Sequence, residues 1–228
     1  MIKAIIFDMD DTLYPEEQYV KSGFKSVDAF LQSIGINNFY EKALTLFEVG
    51  SRGNIFNKAL EDLNIDYDDD FIIKLLDIYR KHSPEIQLYE DAQAILKDLI
   101  NKYPLGLITD GYKEVQRNKV EALNLNNYFD KIVITDELGR ENWKPSTLPY
   151  ELMREQLKVE HTEMVYIGDN VSKDFLAANK LGWITIHIKR LNGQYNTYNV
   201  PDEYKAKYEI QSLMEINDIL NLGCAKND

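Results

Sequence analysis

A chain of 228 residues with 44% apolar content has enough material for one large α/β domain, or for a core carrying a smaller insertion. Its 38 acidic against 26 basic residues leave a formal net charge of −12, which argues against a broad surface for nucleic acid or an anionic membrane. The lone cysteine, Cys224, has no internal disulfide partner, the N-terminus lacks a basic leader, and no apolar run approaches the roughly 18 residues of a membrane span, so a cytoplasmic protein is expected.

In chain order, the first element is an apolar run at 3–7 that reads as a buried strand. Asp8-Met9-Asp10-Asp11-Thr12 follows it directly. Side chains alternate along a strand, so Asp8 and Asp10 project to one side and Met9 to the other. Two close carboxylates repel, and a divalent cation relieves that repulsion while clamping phosphate. Residues 15–84 then read as a helical insertion. Val20, Phe24, Val27 and Leu31 form one helical stripe. Leu44 and Phe47, then Phe56, Leu60 and Leu63, predict two more helices, split at Gly50-Ser51-Arg52-Gly53. Phe71, Leu75, Ile78 and Tyr79 predict a fourth. The acidic run Asp66-Tyr67-Asp68-Asp69-Asp70 has Phe71 where a calcium loop needs glycine, so it reads as the first turn of that helix.

Ala92, Ile95, Leu96 and Leu99 share the face of a crossover helix leading to a second strand at 105–109. Val115, Val120 and Leu123 fit the helix after it. Further β-type runs lie at 131–135, 163–167 and 183–188, with a short, edge-like one at 208–211. Continuous apolar strands alternating with helices predict an α/β fold: a Rossmann-like parallel sheet with helices on both faces, formed by residues 1–14 and 85–228.

In such sheets ligands bind beyond the carboxyl ends of the strands. Asp8 and Asp10 follow the first strand, Thr109-Asp110-Gly111 ends the second, Lys144-Pro145 lies after the third, and Gly168-Asp169-Asn170 with Asp174 follows the fourth. The fold therefore gathers these groups at one end. Taken singly, each aspartate is more simply a turn or cap residue. As an ordered set they resemble the motifs of the haloacid dehalogenase-like (HAD) hydrolase superfamily, in its phosphatase branch, over residues 1–189. The run from Thr109 through Gln116 and Lys119 resembles the family's usual run at that point, and residues 15–84 resemble its helical cap.

That resemblance implies roles. Asp8 would attack phosphorus and form an aspartyl-phosphate, and Asp10 would serve as acid and then base. Asp8, the backbone carbonyl of Asp10 and Asp169 would hold Mg²⁺, with Asp174 supporting the metal's waters or orienting Lys144. Thr109 and Lys144 would bind and neutralise the phosphoryl group, and the backbone around Asp110 and Gly111 would complete the cradle. The dehalogenase branch lacks an aspartate at the position of Asp10, so its presence favours phosphate esters. Arg52, in its Gly-flanked turn, and Lys113 are candidate substrate contacts; a solvated loop arginine and a surface-helix lysine are the plainer readings. Tyr14, just past the first motif, reads as an entrance, packing or hinge residue. The expected partner is a small phosphorylated metabolite, such as a sugar phosphate or nucleoside monophosphate, acted on by a monomer or homodimer. A phosphomutase or phosphotransferase, or a catalytically silent regulatory protein, shares the same motifs.

Overall fold

The computed structural model describes residues 1–191, 193 and 195–224. The chain divides into two compact units, Met1–Pro15 with Gln87–Asp228, and Glu16–Ile86.

The first unit is built on six strands: β1 (Ala4–Phe7), β2 (Leu105–Thr109), β3 (Lys131–Ile134), β4 (Met164–Gly168), β5 (Ile184–Ile188) and β6 (Tyr208–Ile210). They form one sheet, all neighbours parallel, in the order β3-β2-β1-β4-β5-β6. Residues of β1 are wholly buried because both faces of the sheet are covered. Ala4 and Ile6 join Ile108, Tyr150, Met153, Tyr166 and Phe175 in one apolar cluster. By the alternation of a strand, Ile5 and Phe7 face the opposite layer, where Phe7 meets Phe129 edge-on at 6.0 Å.

The second unit is helical: α1 (Glu16–Ser33), α2 (Phe39–Glu48), α3 (Ile55–Asp62) and α4 (Asp69–Lys81). Its core unites Phe24, Val27 and Leu31 of α1 with Phe39, Ala43, Phe56, Ala59, Leu60 and Leu75. The inward face of α2 runs through Phe39 and Ala43, with Leu46 and the expected Phe47 packed beside them, so Ala43 and Leu46 take the place expected of Leu44. Asp68 caps α4, its Oδ1 accepting the Phe71 N–H at 2.9 Å, which is the helix-start role expected of that acidic run.

The first unit is completed by α5 (Glu90–Leu99), α6 (Lys113–Ala122), α7 (Leu148–Leu157), α8 (Phe175–Lys180) and α9 (Ile216–Cys224). Among the described residues, no helix is long and apolar enough to cross a membrane.

Candidate active site

Strand order reverses at β1, whose neighbours β2 and β4 lie on opposite sides, and such a switch point opens a crevice at the carboxyl ends of the strands. Asp8 stands there because its backbone N–H still donates to Ile167 O of β4 at 2.8 Å, fixing the residue to the sheet edge of the crevice. Asp169 and Asp174 come from the loop after β4. Oxygens of Asp8, Asp169 and Asp174 lie within 4.8 Å of one another, and all three residues are buried.

Lys144 reaches this cluster from the loop after β3. Its Nζ donates to Asp8 Oδ1 at 2.5 Å, Asp174 Oδ1 at 2.7 Å and Tyr166 Oη at 3.1 Å, which uses the three N–H donors of an ammonium. Asp174 is in turn fully engaged. Its Oδ1 also accepts the Tyr166 hydroxyl at 3.3 Å, and its Oδ2 accepts the Asn170 N–H at 2.9 Å. Asn170 Oδ1 accepts from Ser172 N and Oγ, so this asparagine shapes the turn. A Cβ on Gly168 would run into the Asp174 carboxylate, which accounts for glycine at the end of β4.

The electrostatics are lopsided. Burial pushes Asp8 up to about 7, with the charge of Lys144 opposing and that of Asp174 adding. Burial, then the charges of Asp174 and Asp8, hold Asp169 well above the usual carboxylate range. For Lys144, burial favours the neutral amine, but Asp174 and Asp8 outweigh it and keep the ammonium. Lys144 is the one cation bonded to this cluster among the described residues, and Lys173 adds only its charge, so three buried carboxylates remain short of compensation. A hard divalent ion with oxygen ligands matches this donor set, so the cluster can hold a metal.

Asp10 has a separate setting. Tyr14 Oη donates to its Oδ1 at 2.5 Å and Lys119 Nζ donates to the same oxygen at 2.7 Å. Burial raises its pKa, but the charge and hydrogen bond of Lys119 and the bond from Tyr14 prevail, leaving it below the usual range. Thr109 Oγ1 donates to Gln116 Oε1 at 3.2 Å. Gly111 has φ +133°, and a Cβ there would also collide with Gln116, so the turn after β2 requires glycine.

The Asp110 carboxylate is turned into the protein: Oδ1 accepts from Thr135 Oγ1 at 2.7 Å and Lys144 N at 3.1 Å, and Oδ2 pairs with Lys173 Nζ at 3.3 Å. It therefore braces the Lys144 loop. Lys113 is exposed at the start of α6, and its N–H donates to Asp136 Oδ2 at 3.0 Å. Arg52 belongs to the helical unit, where its guanidinium donates to Phe47 O and Ser51 O and lies 4.2 Å over the Phe47 ring.

Sequence reasoning passed over Tyr166, Lys173 and Thr135, and gave Lys119 and Gln116 no role. For the last two a signal existed: a lysine and a glutamine in the stripe of Val115 and Val120, on the buried face of α6.

The family model described as haloacid dehalogenase-like hydrolase matches residues 5–188. The chain is 31% identical to the glyceraldehyde 3-phosphate phosphatase of Methanocaldococcus jannaschii, over 96% of this chain and 97% of that relative. It is 28% identical to the enzyme of the same name from Methanopyrus kandleri, over 96% and 97%. Among solved structures, the HAD phosphatase from Thermococcus onnurineus matches with a TM-score of 0.62 and 27% identity, over 96% and 98% of the two chains. This match, with the parallel sheet and the carboxylates gathered at its switch point, leads to one conclusion: the chain belongs to the haloacid dehalogenase-like hydrolases.

Proposed function

We propose that this hydrolase is a Mg²⁺-dependent phosphatase of small phosphorylated metabolites, working through an aspartyl-phosphate. The observation that carries the reading is the unequal treatment of two neighbouring aspartates: Asp8 is bound to Lys144 within the carboxylate cluster, whereas Asp10 is held apart by Lys119 and Tyr14. Environments that separate two carboxylates in this way support two different roles.

Asp8, fixed by its backbone to β4, is the nucleophile on phosphorus, and Lys144 neutralises charge on the carboxylate and the incoming phosphoryl oxygens. Asp10 protonates the leaving oxygen and later deprotonates the hydrolytic water. Thr109, wholly buried at the end of β2, would turn its single O–H from Gln116 Oε1 to the phosphoryl group when substrate binds. Asp8, Asp169 and the backbone carbonyl of Asp10 would hold Mg²⁺, beside Asp174, and the bound ion would supply neutralising charge to the phosphate. Asp174 acts chiefly by orienting Lys144.

The names of the two archaeal relatives favour a sugar or triose phosphate as substrate. Selectivity for the leaving group is assigned to the helical unit as a cap, with Arg52 as its candidate contact. Phosphate release across sugar phosphates, triose phosphates and nucleoside monophosphates, with and without Mg²⁺, tests the reading. Asp8→Asn is expected to abolish release, and undiminished activity would refute the nucleophile. Isomerised phosphate in place of free phosphate would assign the chain to the mutases.

A further inference from the structure

The inward face of α6 carries two polar side chains, Gln116 and Lys119, only 3% and 2% exposed. Burying an ammonium is costly, and an apolar residue of similar volume is often neutral or stabilising in such a place. Both side chains converge on Asp10, and they treat its two oxygens differently. Oδ1 receives short bonds from Lys119 at 2.7 Å and from the Tyr14 hydroxyl at 2.5 Å. Oδ2 meets Gln116 Nε2 at 3.4 Å, a weak contact. The same Gln116 amide donates to Asp110 O at 2.8 Å and accepts from Thr109, tying the arrangement to the end of β2.

We propose that Lys119 and Gln116 are positioning residues for proton transfer: Lys119 with Tyr14 pins Oδ1 of Asp10, and Gln116 only lightly touches Oδ2, which is left as the oxygen that exchanges protons with the leaving group and with water. The inference rests on the phosphatase reading and deepens it. In the first half-reaction the Asp8–phosphorus bond forms as the phosphorus–oxygen bond to the alcohol breaks. A proton taken up on Oδ2 as the anionic phosphate ester binds passes to the departing oxygen, and the ammonium beside Oδ1 stabilises the carboxylate left behind. In the second half, water attacks phosphorus and gives a proton to Oδ2. The Asp8–phosphorus bond breaks, inorganic phosphate leaves, and Asp10 is protonated again.

The test compares first-turnover rates of the Mg²⁺-loaded enzyme on two substrates. Glyceraldehyde 3-phosphate has an alkoxide leaving group that needs a proton; p-nitrophenyl phosphate releases a phenolate that does not. Lys119→Met is expected to slow the first turnover of glyceraldehyde 3-phosphate at least about tenfold, since general acid catalysis contributes about 10²–10⁴-fold, while changing that of p-nitrophenyl phosphate by less than about threefold. Lys119→Arg should restore most of the loss, and Gln116→Leu should show the same selectivity in smaller measure. Equal slowing of both substrates, or slowing of neither, overturns the positioning role. If Lys119→Met fails to fold by circular dichroism, Gln116→Leu carries the same comparison. A wild-type enzyme inert on both substrates refutes the phosphatase reading instead, so the two failures are distinct.

Discussion

Lys144 shows how much chemistry a single side chain concentrates. Its ammonium is buried and is shared by Asp8, Asp174 and Tyr166. Removing one partner of a buried ion pair leaves charge without compensation, at a cost of about 3–5 kcal/mol. Lys144→Met is therefore expected to lower unfolding free energy by about 3 kcal/mol in urea titration of the metal-free protein. It should also lower phosphate release by about 10²–10³-fold, the usual effect of deleting one electrostatic group from such a site. Addition of Mg²⁺ should recover part of the stability and little of the rate, because an ion held by the carboxylates would not take over the role proposed for Lys144 at the phosphoryl oxygens. A variant with wild-type rates would show that Lys144 serves structure alone.

At the scale of elements, the strands and the helical insertion were legible, because apolar runs bounded by turn residues and stripes of period 3.6 are local signals. The closeness of Asp8, Lys144, Asp169 and Asp174 followed from one rule about strand ends. Less was legible where the outcome depends on a long-range partner. α7 went unnoticed because its buried set, Pro149, Tyr150 and Met153, joins a proline to a tyrosine whose hydroxyl bonds Asp174 O at 2.8 Å. For Asp110 the expectation concerned its backbone; that its carboxylate braces Thr135 and Lys144, both remote in sequence, carried no local signal. The end of β4 gives an element-scale prediction. Gly168→Ala places a methyl against the Asp174 carboxylate, which Lys144 and the Asn170 N–H hold in place. Overpacking of this kind costs about 1–3 kcal/mol, so calorimetry should show a lower Tm, together with reduced activity. Asp68→Ala in the helical unit is the contrast: loss of the α4 cap should cost about 1 kcal/mol and leave the rate on p-nitrophenyl phosphate unchanged.

For the whole molecule, two solution variables bear on the crevice and on the chain's closure. Mg²⁺ binding only the folded state should raise stability by about 2.7 kcal/mol at a hundredfold excess over Kd, or roughly 5–10 °C in Tm, and Asp169→Asn should abolish that rise. Proton concentration acts on the crevice carboxylates and also away from them, at Asp91, the partner of Arg190. This guanidinium donates to Thr12 O, just after β1, at 2.6 Å and to Asp91 Oδ2 at the start of α5 at 2.7 Å, and lies 3.9 Å over the Tyr89 ring. Asp91 Oδ2 also accepts the Leu213 N–H at 2.9 Å, so one carboxylate joins the segment before α9 to the first strand's loop. Burial raises the pKa of Asp91, but the bonds from Arg190 and Leu213 prevail and hold it below the usual range. A folded-state pKa below the unfolded value means that the unfolded chain binds more protons in the window between them. The stabilisation is therefore complete above the unfolded value of about 4 and is lost as pH falls through the folded one. Asp91→Asn should lower unfolding free energy at pH 7 by about 1.5–3 kcal/mol, the range for hydrogen bonds to charged groups. Urea titrations of both proteins should then show the gap narrowing as pH falls below about 4, because protonation brings the wild type toward the variant. A gap that stays constant into strong acid would mean that the ionised carboxylate contributes nothing, and that Arg190 holds these segments through Thr12 and Tyr89 alone.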